Sequence, residues 1–393
     1  MRKYITPIIL GAAVFCVSLF FQKFTLTVQE NTSLFLLAPD YLREIFNAPL
    51  PLSHLLGNFL AQFYRFSIYG PAITAVEIVL IYLLARYIRH PKGPFTEIQA
   101  VAATCVAWFF TARADDPAFP AAILLFAAAA WLLSMIIFKK KQRAEGKWWH
   151  TGVSFLLIAA VAVMVITDKD IKRTEITAEI EQCAIGGDWS RVAELASPEF
   201  TKDDPETLPY ALLALSELNQ LSDKVQNYRN VSPESMEGDK ASSYRGYLAG
   251  AILYDELGSH NEAVHRIYQA SDALPHGSSL LMLRMLVRHY YEAGDYTLMR
   301  KYCEVLSRST LHGQYVSHYL QLAEGKEDVP ADSPGKRAEA KIMTHDHATN
   351  LLQLEAEGIH SDIMTERFLC SLLLSGNIEA FRKAMGIMGI PTP

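Results

Sequence analysis

Four acidic side chains near the start of the chain lie beside or within apolar segments, where a carboxylate is best placed to do chemistry. Glu30, Asp40 and Glu44 lie in a long connection after the first apolar run, and Glu77 lies inside the second run. A carboxylate is costly in lipid, so Glu77 is expected to face other protein groups and to find a partner there. It is interpreted either as a contact for a proton or substrate, or as a packing residue held by hydrogen bonds.

A second group of candidate residues lies in the polar half of the chain. Arg284 and Arg288 are four positions apart, so a helix places them on the same side. Guanidinium groups bind carboxylates or phosphates through paired hydrogen bonds. Together with Arg245, Asp255 and Tyr291, they form the predicted partner-binding set. The alternative interpretation is an ordinary solvated helix face.

Motifs for catalysis, cofactors or metals are not recognisable. The chain has no nucleophile elbow, zinc-protease, P-loop or dinucleotide-binding sequence in a supporting context. Cys183, Cys303 and Cys370 lie far apart and are expected to be buried free thiols, with one disulfide among them as the alternative. His345 and His347 would point in nearly opposite directions on a helix. The sequence therefore predicts no metal and no cofactor.

The composition of the chain changes near residue 168. Half of all residues are hydrophobic, 20% are charged and the mean hydropathy is +0.11. Apolar runs and basic clusters alternate before this point, and a polar, helical pattern follows it. The net charge of -6 does not favour nucleic acid as a partner. These features predict a transmembrane domain over 1–168 and a soluble helical-repeat domain over 174–393.

Five apolar runs approach the length of about 20 residues that a membrane-spanning helix needs. The third of them is short and rich in alanine. The predicted spans are 5–21, 71–88, 98–112, 118–138 and 149–166. No small-residue cleavage site follows Phe21, so the first span is expected to be an uncleaved anchor rather than a signal peptide.

The distribution of basic residues predicts the orientation, since short loops rich in Lys and Arg remain in the cytoplasm. The clusters comprise Arg2, Lys3, Arg86, Arg89, Lys92, Lys139, Lys140, Lys141, Arg143 and Lys147. Five spans place all of them on one side, with the N-terminus in the cytoplasm and the soluble domain outside it. If the third run does not cross the membrane, only four spans remain and the soluble domain is expected in the cytoplasm. The basic loops would then no longer all lie on the cytoplasmic side.

The first external loop, 23–69, is too long for a simple turn. From Leu55 to Phe66, apolar residues recur at helical spacing, and the opposite face carries polar residues such as Asn58 and Gln62. This pattern predicts an amphipathic helix that lies on the membrane or packs on the bundle. A second short helix is predicted from Asp40 to Phe46.

The soluble half shows the pattern of helical hairpins. The segment Tyr247 to Pro275 resembles a tetratricopeptide repeat, with Gly258 at the tight turn between its two helices. A second unit follows over Leu283 to Leu306, and two outer turns are predicted around Gly187 and Gly376. The predicted fold class is therefore all-α, a five-helix transmembrane bundle followed by a tetratricopeptide-like α-solenoid. The first helix of each unit would line the concave face.

Three short segments carry a resemblance to a known family. The stretches Tyr41–Phe46, Pro51–Tyr64 and Tyr69–Pro71 are similar to a family of Bacteroidetes multi-pass membrane proteins with a helical-repeat tail. The resemblance covers the first two spans and the general layout of the tail. The chain departs from the pattern at Pro49–Leu52, where a glycine-rich turn is expected. The family, a domain of unknown function, has no assigned activity, so the resemblance implies an inner-membrane location and transfers no catalytic residue.

Together these features predict a membrane-anchored scaffold or docking protein of the bacterial cell envelope. It would lie in the inner membrane, with a periplasmic tail that binds a protein or peptide on its concave face. The alternative is an envelope enzyme resembling polytopic glycosyltransferases, or a transporter, that uses the acidic first loop. Convergence of the loop acids with Glu77 or Arg113 over a cavity would favour that alternative.

Overall fold

A computed structural model of the chain describes residues 2–88, 97–138, 148–236, 243–274, 277–329 and 362–387. Every regular element within these ranges is helical, and none of these residues forms a β-strand. The all-α fold class is therefore confirmed. The basic residues between 89 and 92 and between 139 and 147, together with Pro275, His345 and His347, lie outside the described residues.

The chain divides into two compact units, Met1–Ala178 and Glu179–Pro393, and the division falls within the ninth helix. The helices are α1 (Arg2–Phe21), α2 (Lys23–Thr32), α3 (Pro39–Asn47), α4 (Pro51–Ala61), α5 (Tyr69–Tyr87), α6 (Glu97–Arg113), α7 (Ala118–Ile137), α8 (Trp148–Thr167), α9 (Lys169–Ile185), α10 (Trp189–Leu195), α11 (Pro198–Asp203), α12 (Leu208–Glu217), α13 (Leu221–Lys224), α14 (Tyr244–Glu256), α15 (His260–Asp272), α16 (Leu280–Glu292), α17 (Tyr296–Ser307), α18 (Gly313–Leu322), α19 (Asp362–Leu374) and α20 (Ile378–Ile387).

Four helices of the first unit are long and apolar enough to cross a membrane. Among the described residues these are Tyr4–Phe21, Tyr69–Tyr87, Ala118–Ile137 and Trp149–Thr167. They correspond to four of the five expected spans. The remaining expected span, 98–112, coincides with α6, which has 17 residues and is shorter than these four.

The first unit is built around α6. This helix packs on α5 and α8, and α1 packs on the same two neighbours. Its Trp108 is fully buried among Leu10 of α1, Ile78 of α5 and Ile158 of α8. Apolar side chains also cover the outside of the long helices, as at Ile136 of α7, which is 73% exposed. The first unit therefore has apolar residues both in its core and on its outer surface.

The predicted amphipathic segment of the first loop is α-helical as far as Ala61 and continues as a 3-10 helix over Gln62–Arg65, and its most buried residues are small or polar. Gly57, Asn58 and Ala61 of α4 are buried, whereas Leu52 and Phe59 are exposed. A methyl group at Gly57 would lie 2.5 Å from the carbonyl oxygen of Pro117, so the backbones of α4 and α7 approach closely. Small residues permit such contact between helices in membranes.

The second unit is a series of helical hairpins closed by one kind of turn. Gly187, Gly258, Gly294 and Gly376 follow a helix with φ between 70° and 73°, and Asn219 does so with φ 53°. In each case the next amide donates a hydrogen bond of 2.8 to 3.1 Å to the carbonyl five residues earlier. This arrangement is the Schellman motif, which terminates a helix with a left-handed residue.

The same turns also start the following helix. Asp188 and Asp295 come directly after the left-handed glycines, and their carboxylates accept hydrogen bonds from the amides of Arg191 and Leu298. Such side-chain caps satisfy amides at a helix start that have no partner within the helix. The hairpins α14–α15 and α16–α17 are full length, whereas α10 and α13 are short, so the series is irregular toward its start.

We predict that Gly57→Ala lowers the thermal stability of the detergent-solubilised protein, at a cost of about 1–3 kcal/mol, because the new methyl group overlaps fixed backbone atoms. Gly152→Ala is the matched control, since Gly152 also lies in a helix of the first unit and has no atom near the position of a Cβ. Fluorescence-detected size-exclusion chromatography after heating measures both variants. Equal midpoints for the two would contradict the close approach of α4 and α7.

We predict a second difference between two glycines of nearly equal φ. Gly258→Ala introduces only the left-handed backbone penalty of about 1–2 kcal/mol. Gly294→Ala adds an overlap, because its Cβ would lie 2.3 Å from Cγ2 of Val329. Gly294→Ala should therefore lower the thermal midpoint further than Gly258→Ala. Circular dichroism melts of the two variants measure the difference, and equal losses would show that Val329 does not press on this turn.

Candidate functional site

The five predicted partner-binding residues lie on first helices of the hairpins, and their side chains already have partners. Arg288 of α16 forms an ion pair with Asp255 of α14. The guanidinium of Arg284 lies 5.1 Å from the ring centre of Tyr315 on α18, and the Tyr315 hydroxyl donates to the Arg284 carbonyl at 2.8 Å. These contacts form a ladder along the first helices, so an external ligand must compete with them.

The other two members of the set are also engaged. Arg245 lies with Nε 3.4 Å from Oε2 of Glu181, a carboxylate that is fully buried. Burial raises the pKa of Glu181, while Arg245 and the hydroxyl of Tyr244 act in the opposite direction. The Tyr291 hydroxyl accepts a hydrogen bond of 2.8 Å from Lys326. Both Arg245 and Tyr291 are partly exposed, and the buried partner of Arg245 is the Glu181 carboxylate.

An aromatic cluster, which the sequence analysis missed, lies on the helices α15, α16 and α17. The rings of Tyr290 and Tyr302 are stacked with their centres 5.6 Å apart. The hydroxyl of Tyr268 forms hydrogen bonds with both of their hydroxyls. Exposed tyrosines are common in surfaces that bind proteins, because they combine a large apolar area with a polar group.

Four potential ligands for a metal ion meet beside the ladder. Asp255, His260, His289 and Glu292 each offer one ligand atom, and these atoms lie within 4.8 Å of one another. Nδ1 of the fully buried His289 is 3.4 Å from Oδ1 of Asp255 and 3.9 Å from Oε2 of Glu292. Burial, and then the charges of Arg288 and His260, lower the pKa of His289 to about 3. His289 is therefore neutral at pH 7.

The repeat geometry explains why these residues meet. Asp255 lies in the last turn of α14, and His289 and Glu292 lie in the last turn of α16, the equivalent helix of the next hairpin. His260 is the first residue of α15. Asp255 and His289 are thus about one 34-residue repeat apart, the period of tetratricopeptide units. That spacing is the signal by which the sequence could have revealed the cluster.

A buried arginine joins helices that are distant in sequence. Arg367 of α19 is 2% exposed and donates to the Leu212 carbonyl at 3.2 Å and to Oγ of Ser216 at 2.8 Å, both on α12, and to the Met236 carbonyl. Burial lowers its pKa to about 10, so the guanidinium remains charged at pH 7. Beside it, burial raises the pKa of Glu217 to about 7, with a further rise from Glu256 and an opposing effect of Arg367.

The four candidate acids of the first unit differ in their exposure to solvent. Glu30 and Glu77 are buried, whereas Asp40 and Glu44 are exposed. A small cavity of about 20 Å³ lies near α2, which is room for about one water molecule. It is lined by Gln22, Thr25, Leu26, Gln29, Tyr64, Thr74, Trp108, Thr111, Ala112, Ala114 and Pro120, and by none of the four acids.

The polar groups around this cavity hold α2 in place. The side-chain amides of Gln22 and Gln29 donate to the Ala112 and Ala114 carbonyls at 2.9 and 2.8 Å. At the N-terminus of α2, the Glu175 carboxylate accepts hydrogen bonds of 2.9 Å from two backbone amides. A carboxylate is favourable there because it interacts with the positive end of the helix dipole. The buried polar residues of the first loop are therefore structural.

Arg113 is likewise committed to a structural role. Its guanidinium lies 3.1 Å from Asp168 and 2.6 Å from Asp170, and it lies over the ring of Phe109 at 5.1 Å. Burial would raise the pKa of Asp168, but the hydrogen bonds from Ile171 and Arg113 outweigh it and the pKa is lowered. Arg113 thus ties the end of α6 to the start of α9.

All five cysteines are free thiols: Cys16, Cys105, Cys183, Cys303 and Cys370. Cys303 and Cys370 are buried, and burial raises the pKa of each thiol to about 11. A protonated, buried thiol is a poor nucleophile and a poor metal ligand. These two cysteines therefore act as core residues.

Comparison with family models gives a match along nearly the whole chain. One model, described as a family of unknown function (DUF6057), matches residues 1–166 and 112–391. The chain belongs to this family. No curated protein and no solved structure matches this DUF6057 member. Membership agrees with the expected resemblance to an uncharacterised family, and it brings no activity or site residue with it.

We predict a pH effect that depends on Glu217. Its pKa of about 7 in the folded protein exceeds the ordinary value of 4.5, so the folded state holds a proton that the unfolded state releases between these values. Stability should therefore fall as the pH rises from about 4.5 to 7, and stay lower above that. Glu217→Gln removes this loss and should stabilise the protein at pH 8 by about 1 kcal/mol or less, because the group is partly exposed.

Thermal melts at pH 5 and pH 8 test this prediction. The control is Glu194→Gln, because the Glu194 side chain is 69% exposed. The loss of midpoint between the two pH values should be smaller in Glu217→Gln than in the unmodified protein and in the control. The same loss in all three proteins would show that Glu217 ionises normally.

Proposed function

We propose that this DUF6057 member is a membrane-anchored docking protein of the bacterial cell envelope with a tetratricopeptide-like soluble domain. The observation that carries the proposal is the series of helical hairpins with a common Schellman turn and a ladder of side chains along their first helices. The turns at Gly258 and Gly294 are about 36 residues apart, close to the tetratricopeptide period of about 34. Such arrays present a continuous surface to a peptide or protein.

The membrane half supports the role of an anchor. Its long helices expose large apolar side chains, including Phe126 and Ile136 of α7 and Leu156 of α8. Exposed apolar surface of this extent is unfavourable in water and suits the interior of a bilayer. We assign this surface to contact with lipid.

We propose α6 as the fifth span. A helix of its length extends about 25 Å, a little less than the bilayer core of about 30 Å. Its charged residues, Glu97 and Arg113, are at its two ends, and its neighbours α5 and α8 shield much of its surface. Five spans place the N-terminus in the cytoplasm and the soluble domain in the periplasm, in agreement with the basic residues of the short loops.

The proposed docking surface consists of Arg284, Arg288 and Tyr291, with Tyr319 and Lys326 beside them. All five side chains are partly or fully exposed, and three of them are cationic. Arginine and tyrosine contribute more than most residues to the binding energy of protein interfaces. We therefore propose a protein or peptide partner that offers carboxylates to this surface.

Crosslinking in spheroplasts tests the docking proposal and the orientation together. The tagged full-length chain is treated with a membrane-impermeant amine-reactive crosslinker, and in parallel with a permeant one of the same length. After gentle solubilisation, mass spectrometry identifies the attached proteins. We expect the same stoichiometric partner with both reagents. Arg284→Ala should reduce its capture about tenfold, since interface arginines contribute on the order of 1–2 kcal/mol.

Arg308→Ala is the matched control, because Arg308 is an exposed arginine directly after α17 whose partner, Glu304, lies in the last turn of that helix. It should leave the capture unchanged. Capture by the permeant reagent alone would overturn the periplasmic location and leave docking intact. The absence of any stoichiometric partner with either reagent would overturn the docking function. Equal capture by both variants would remove the proposed surface.

A further inference from the structure

We propose that Asp255, His260, His289 and Glu292 form a binding site for one divalent transition-metal ion of the zinc type. Zinc binds imidazole nitrogen and carboxylate oxygen at about 2.0–2.2 Å in tetrahedral geometry, which separates neighbouring ligand atoms by about 3.4 Å. The distances from Nδ1 of His289 to the two carboxylates are 3.4 and 3.9 Å. All four ligand atoms lie within 4.8 Å of one another, so small side-chain movements would bring them to the separation that the ion requires.

The buried imidazole of His289 is an independent indication. Its Nδ1 is inaccessible to solvent and has no hydrogen-bond partner among the described residues. A buried polar atom without a partner is costly unless an unplaced group satisfies it. The carboxylates of Asp255 and Glu292 surround this nitrogen, but neither lies at hydrogen-bonding geometry. A cation between them would satisfy all three groups at once.

The surrounding charges select a cation rather than an anion. Two carboxylates lie at the site, and both α14 and α16 direct their C-terminal ends toward it. The C-terminus of a helix carries a partial negative charge, which is favourable for a nearby cation. Two imidazoles in the set favour zinc and similar ions over calcium or magnesium, which prefer ligands made entirely of oxygen.

Arg288 occupies part of this site and competes with the ion. Its guanidinium donates to Asp255, and its Nη2 lies 3.4 Å from Nε2 of His289. Coordination through Nδ1 places the imidazole proton on Nε2, which then no longer accepts a hydrogen bond from Arg288. Binding of the ion at Oδ1 of Asp255 therefore removes the contact of Arg288 with His289 and leaves Oδ2 of Asp255 as the acceptor for the guanidinium. The ion adds a second link between α14 and α16 and joins α15 to them through His260.

Zinc binding to the full-length protein in detergent, after chelator treatment and dialysis, tests the proposal. Competition with a chromophoric zinc chelator measures stoichiometry and affinity, and a thermal melt with and without zinc measures stabilisation. We expect one equivalent of zinc and a higher midpoint when it is bound, since a ligand specific to the folded state stabilises it. Cobalt in place of zinc should show the strong visible absorption of a tetrahedral complex.

Substitutions at the partly exposed ligands keep the test independent of folding. His260→Gln and Glu292→Gln should each weaken zinc binding about tenfold or more, because even second-shell changes at metal sites cost this much. His265→Gln, at an exposed histidine of the same helix, is the matched control and should leave the affinity unchanged. Arg288→Gln removes the competing cation and should tighten binding.

Two results would overturn the site. One is the absence of zinc binding in both the unmodified protein and Arg288→Gln, each shown to be folded by its melt. The other is binding that His260→Gln and Glu292→Gln leave unchanged, which would place the ion elsewhere. Zinc alone is the probe, so this outcome is independent of the docking function.

Discussion

The left-handed turn that closes each helical hairpin is the constraint on which the soluble unit depends. At Gly187, Asn219, Gly258, Gly294 and Gly376, a single residue with positive φ ends one helix and lets the next begin almost at once. Asparagine replaces glycine once, in agreement with its tolerance of this conformation. These turns pack each hairpin against the next through α15 and α16, and side chains of successive first helices, such as Asp255 and Arg288, meet there.

The first unit is packed in a different way from the second. Its core holds large apolar side chains around Trp108, but the first loop packs against it with small and polar residues. When the exterior of a helix bundle is itself apolar, hydrophobicity does not decide which residues are buried between the helices and which face outward. The first loop is held instead by close backbone contact at Gly57, by hydrogen bonds that Gln22 and Gln29 donate, and by hydrogen bonds that the Glu175 carboxylate accepts.

The proposed docking surface and the proposed ion site share Arg288 and are therefore linked. In the structure, the guanidinium pairs with Asp255 and lies beside His289. An ion in the cluster would remove the contact with His289 and weaken the pair with Asp255, because that carboxylate would then interact with two cations. Intramolecular pairs of this kind lower the affinity of a surface for outside carboxylates, since each pair must be broken before a new one forms. Binding of an ion at the proposed ion site would thus change the affinity of the proposed docking surface for its partner.

The sequence alone determined the all-helical class, the position of the change in composition, four long apolar helices and the hairpin turns, because these depend on local periodicity and on glycine. It could not determine which face of α4 is buried, since that choice depends on the shape of α7. Only the tertiary structure brought Asp255, His260, His289 and Glu292 together, because they lie on three helices whose neighbours are set by the stacking of repeats. It also assigned Arg367 to the core, where its partners come from segments that no spacing rule connects to it.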